Sequence, residues 1–144
     1  MAPGLSRRLA AIVAALPVEP TMRILEIGCG PGAAARQIAR GLTSGHILAI
    51  DRSDQAVWAA RDGSFSEIES GRMSVRQVAI EDFDLDPGEA PFDIVFAIRV
   101  GALDGRHPEA GAKALERIAG VTTAEARLFI DGGDPLRELP IPRP

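Results

Sequence analysis

Leu5, Leu9, Ile12, Val13 and Leu16 recur at helical spacing, so the first residues predict an amphipathic helix laid against a core. Gly4 and Ser6 precede this helix, and Pro17-Val18-Glu19-Pro20 ends it because proline cannot continue the backbone ladder. The pattern then shortens to apolar runs separated by helical stretches. Arg23 to Ile27 reads as a buried strand emptying into glycines, and residues 46–50 read as a second strand that stops at Asp51. Between them, residues 33–40 form a helix with Ile38 on its inner face and Gly41 as terminator. Ser53 or Asp54 caps the following helix, which is expected to turn Val57, Trp58 and Ala60 inward. Residues 64–71 extend that helix or form a second short one. Residues 73–80, 92–100 and 126–130 give three further strands, with a helix over 108–120 before the last. Strands alternating with helices imply βαβ crossovers and a parallel sheet covered on both faces.

The chain has 144 residues, enough for one domain and too few for a separate substrate domain. Residues 1–133 are assigned to that domain, and residues 134–144, with four prolines, to a tail expected to form neither strand nor helix. A net charge of −4 and arginines scattered without a basic run argue against nucleic acid as a partner. The arginines are read mainly as solvated surface. One cysteine excludes an internal disulfide, and no Cys or His cluster has zinc spacing, so no metal is expected and a reducing, cytoplasmic setting fits. Arg7 and Arg8 before an apolar stretch suggest a signal peptide. The stretch is short, lacks a small-residue cleavage site, and has helical spacing instead. No run is long enough to cross a bilayer.

Chemistry concentrates where the first strand meets its glycines. A strand that opens into Gly28, Gly30 and Gly32 and then a helix presents backbone N–H groups to a polar or anionic cofactor group. Read alone, Gly28-Cys29-Gly30-Pro31-Gly32-Ala33 with Asp51 downstream also satisfies a dinucleotide fingerprint. Glu26 shifts the balance, because a carboxylate inside the strand suits a cationic amino-acid moiety. The segment Leu25-Glu26-Ile27-Gly28-Cys29-Gly30-Pro31-Gly32 resembles the first motif of class I S-adenosylmethionine-dependent methyltransferases. That resemblance covers roughly residues 20–133. It implies a Rossmann-like, doubly wound α/β sheet of about five parallel strands in the order 3-2-1-4-5, lacking the family's C-terminal strand pair. The fifth strand is then an open edge, which the tail or the second subunit of a homodimer is expected to cover.

The resemblance also implies residue roles. Glu26, Gly28, Cys29, Gly30 and Gly32 would wrap the methionine part of S-adenosyl-L-methionine, and Asp51 would accept the ribose hydroxyls. Arg52 would lie beside the adenine, with the Ile80 backbone meeting the ring. Where the family often has an aspartate this chain has Ala79, so Glu81 or Asp82 takes that place. Asp93 opens the fourth strand and Ala97 to Val100 face the cofactor; residues 127–131 match the fifth strand. The small-molecule acceptor is expected near Ile98, Arg99, Val100, Asp104, His107 and Asp131, beyond the strand ends. His107 is the candidate base, against a plain role as cap or surface residue. Asp104 stands against a simple Asp-Gly turn, and Arg99, which would orient an anionic acceptor, against a solvated side chain. Cys29, His46 and Trp58 are read as structural. Two rivals remain: an NAD-dependent oxidoreductase, and a non-catalytic S-adenosylmethionine-binding regulator or partner subunit.

Overall fold

A computed structural model describes residues 4–144; the first three residues of the predicted domain lie outside it. Helix α1 (Arg7–Ala15) leads into β1 (Arg23–Ile27), α2 (Ala33–Arg40) and β2 (His46–Asp51). Then come α3 (Asp54–Gly63), the short α4 (Phe65–Glu69), β3 (Met73–Gln77) and β4 (Phe92–Ala97). Helix α5 (Pro108–Val121) runs directly into β5 (Thr122–Asp131), and β6 (Leu136–Leu139) closes the order. The sheet reads β3-β2-β1-β4-β5-β6, parallel except for the antiparallel β5–β6 pair.

Side chains alternate across this sheet because the strand repeat is two residues. Ile24 joins Leu16, Ile38 and Val57 in a core on the α1–α3 face. Leu25 and Ile27 join Val95, Ala114 and Ile118 in a second core beneath α5. A doubly covered sheet explains why its strands read as short apolar runs. Helix starts follow local chemistry: Ser6 Oγ accepts from Leu9 N–H, and Ser53, rather than Asp54, caps α3 by accepting from Ala56 N–H.

Four expectations change. The tail is not irregular: Leu136–Leu139 pairs with Leu128 to Asp131, so the chain's own C-terminal segment covers β5. Its prolines, Pro135 and Pro140, bracket the strand instead of interrupting it, and an edge strand tolerates that placement. Trp58 points to solvent at 68% exposure, because on α3 the inward stripe consists of Val57 and Ala60. Strands β3 and β4 stop early, at Gln77 and Ala97, where the backbone turns to build the sheet's upper rim. Conversely, β5 begins at Thr122, four residues before its apolar run; its first residues are not fully buried and carry no alternation, so the sequence pattern does not reveal them. No helix among the described residues is long and apolar enough to cross a membrane.

Candidate functional site

At the carboxyl ends of β1, β2 and β4 lies a cavity of about 930 Å³, lined by Gly28, Asp51, Arg52, Val78, Ile80, Glu81, Arg99, Val100 and His107 among others. This is where a sheet whose strand order reverses beside its first strand leaves a crevice. The volume lies near the top of the range of about 300–1,000 Å³ usual for small-molecule sites.

Gly28, the first residue of the glycine turn, forms part of the floor. Gly28 and Cys29 both donate their N–H to Ile50 C=O, at 2.8 and 3.0 Å, which lashes the turn to β2. Gly28 has φ 72°, and a Cβ there would lie 2.7 Å from Val100 Cγ2. Any side chain at this position would therefore meet both backbone strain and the rim beyond β4. Gly32, at φ 86°, is the N-cap of α2, and a Cβ there would press on Ala60 at 3.1 Å. Arg36, buried on α2, donates to Pro31 C=O at 2.8 Å and to Ser64 Oγ at 3.0 Å. It is a structural member of the turn that reading the arginines as surface residues overlooks; its spacing, five residues after Pro31, is the only signal.

Two carboxylates flank this turn. Glu26 is 3% exposed, and its Oε1 is buried without a hydrogen-bond partner. It sits in β1 between Ala49 and Phe96 of the neighbouring strands. Burial, with some help from the Asp51 charge, raises its pKa to about 8. Asp51 Oδ2 accepts from Gly30 N–H at 2.9 Å and Oδ1 from Ser53 N–H at 3.0 Å. Each oxygen keeps a further lone pair for a ligand hydroxyl. An orphaned buried carboxylate and a glycine floor without side chains fit the amino-acid end of S-adenosylmethionine.

The remaining predicted residues divide. Arg52 and Glu81 both line the cavity and pair with each other at 2.9 Å. Ile80 lines it from the turn after β3. Cys29 is buried below the floor with its Sγ 3.4 Å from Gly30 C=O, and burial raises its thiol pKa, so it is a packed loop residue. Glu26, Gly30, Gly32 and Ala97 also lie outside the lining; Ala97 is 1% exposed, paired with Ile27 and Ile130. His46 is structural as expected, its ring nitrogens 2.7 Å from Gly71 C=O and 2.8 Å from Ser74 Oγ.

On the side of the cavity where an acceptor is expected, His107 lines the wall at the start of α5 without capping the helix through its side chain. Its ring lies close over Gly101, where a Cβ would come within 2.7 Å of Cδ2. Asp104 departs from its expected role. It is exposed, lies outside the lining, and its carboxylate takes Arg106 Nε at 2.8 Å. That hydrogen bond holds its carboxyl below the usual range, which disfavours proton uptake near neutrality. Arg106 itself lines the cavity and was not singled out by sequence, because only the fold shows that it bridges Asp104 and Arg99 C=O.

Known proteins share this fold. A family model described as a methyltransferase domain matches residues 19–142. A sterol 24-C-methyltransferase of Yarrowia lipolytica is 33% identical over 81 residues, 56% of this chain and 20% of that protein. The chain thus spans about a fifth of this curated relative's length. Among solved structures, a S-adenosylmethionine-dependent methyltransferase from Thiobacillus denitrificans in complex with S-adenosyl-L-homocysteine superposes with TM-score 0.68. The match is at 19% identity, over 89% of this chain and 48% of that one. The [4+2]-cyclase SpnF superposes with TM-score 0.69 at 25% identity, over 85% of this chain and 43% of that one. With a family model spanning most of its length, the chain belongs to the methyltransferase-domain family.

Proposed function

We propose that the chain binds S-adenosyl-L-methionine at the head of the sheet and directs its methyl group to a small-molecule acceptor held in the same cavity. The observation that carries this reading is Glu26: a buried carboxylate with an orphaned oxygen under a glycine turn calls for a cationic partner. Glu26, buried in the strand that runs into Gly28, and the backbone at Gly28 would hold the amino-acid end, with Asp51 at the ribose and Ile80 and the Arg52–Glu81 pair at the adenine border. When bound, the cofactor supplies a methyl group on a sulfonium, already activated for in-line displacement.

The chain's own work is alignment and exclusion of water. Val100, packed over Gly28, and Gly101, under the His107 ring, shape the wall between cofactor and acceptor. His107, on the cavity lining, accepts the acceptor's proton where the nucleophile arrives protonated. Asp104 acts at one remove, by fixing Arg106.

Isothermal titration with S-adenosylmethionine and with NADH, followed by transfer of a labelled methyl group to a panel of acceptors, tests the reading. Tight NADH binding with none of S-adenosylmethionine would sink it in favour of an oxidoreductase. A second reading, a chain that binds the cofactor without transferring its methyl group, is favoured by the likeness to a [4+2]-cyclase on this fold. Binding of cofactor with no labelled product across the panel would favour that one.

A further inference from the structure

Most charges around the cavity have partners. Arg52 is neutralised by Glu81 at 2.9 Å and Arg106 by Asp104 at 2.8 Å. Asp51 is engaged by two backbone N–H groups. Glu109 has no ion pair among the described residues, but it lies in the first turn of α5, where a carboxylate is favoured by the helix dipole. Arg99 remains: among the described residues its guanidinium makes no hydrogen bond and no ion pair, and it lines the cavity.

The rest of that residue is held closely. Its N–H donates to Asp131 Oδ1 at 3.0 Å, and its C=O accepts from Arg106 Nη2 at 3.3 Å. Asp131 is in turn fixed through its other oxygen by Arg8 of α1 at 2.8 Å. Arg99 is also the one residue other than glycine with positive φ among those described, at 59°. A bulky side chain in that conformation is strained relative to glycine and persists only where the surroundings enforce it. Thus both main-chain groups are tied down in a strained turn beside Val100, while the charged head is left free over the acceptor side.

Resting on the methyltransferase reading for the identity of that side, we infer that Arg99 is a specificity residue for an acceptor that carries a carboxylate. A planar guanidinium offers two parallel N–H donors to such a group, which a lysine at the same point would not reproduce. The pinned backbone aims the fork, so less freedom is lost on binding. His107 on the same wall then faces the acceptor's far end.

The test is a binding titration with benzoate and benzamide, two probes of one shape and different charge, followed by amide NMR on the full chain with and without S-adenosylhomocysteine. Benzoate is expected to shift the signals of Arg99 to Gly101 saturably, with benzamide at least tenfold weaker. Arg99→Gln should lose the benzoate response at least tenfold, and Arg99→Lys should restore it only in part. Arg99→Gly suits the left-handed backbone, so it removes the guanidinium without threatening the fold and should lose the response equally. Equal binding of the two probes, or an undiminished benzoate response in Arg99→Gly, overturns the inference and favours a neutral acceptor. Failure of S-adenosylhomocysteine to bind would instead strike the methyltransferase reading, while the titration of the unliganded chain still decides the role of Arg99.

Discussion

At the residue scale, Glu26 couples cofactor capture to protonation. In the unliganded chain its pKa stands near 8, above the 4.5 of a free glutamate, so the folded state holds a proton that the unfolded state releases. The stability contributed by that proton is full below about pH 4.5 and is lost as pH rises through 8. Glu26→Gln, which cannot ionise, should flatten this slope, leaving the unliganded chain more stable than wild type at pH 8.5 by denaturant unfolding. The same variant should weaken S-adenosylmethionine binding about 10- to 100-fold, the worth of roughly one charge-assisted hydrogen bond. Opposite signs for stability and affinity in one substitution distinguish a ligand group from a packing group. Gly28→Ala should abolish cofactor binding; adding Val100→Ala removes the 2.7 Å contact but not the backbone strain, so titration should show only partial recovery.

Elements differ in how plainly the chain announces them. Strands β1, β2 and β4 are legible because both faces are buried and every position is apolar apart from Arg23, Glu26, His46, Asp51 and Asp93. The glycine turn is legible because Gly28 and Gly32 adopt conformations few other residues tolerate. Strand β6 is hidden: four residues, Leu136-Arg137-Glu138-Leu139, bear no pattern of their own and become a strand only through β5. Trp58 misleads because one large side chain outweighs the stripe of Val57 and Ala60 beside it. The Arg99–Asp131–Arg8 chain is illegible in principle, since it links residues 123 positions apart. Leu139→Asp, breaking the packing of β6 on the second core, should lower the melting temperature by several degrees and raise light scattering as the β5 edge opens.

For the whole molecule, β6 pairs along β5, so β5 needs no second chain to cover it. Sedimentation equilibrium is expected to return a monomer; a dimer dispersed by charge substitutions at Arg137 and Glu138 would instead place a second copy on the exposed edge of β6. The cavity and α1 meet through Asp131, which accepts from Arg8 on one oxygen and from Arg99 on the other. Acceptor chemistry and the N-terminal helix are thereby joined, and Arg8→Ala should loosen the Arg99 turn, seen as faster amide exchange at residues 99–101.

Trp58 has an optical consequence. The chain has one tryptophan and no tyrosine, and that indole stands in water on α3. Native emission will therefore be red-shifted and nearly blind to unfolding, so circular dichroism must follow the transition. By the same token, a blue shift under native conditions would mark something settling on α3, which makes the wild-type chain its own reporter of contact at that face.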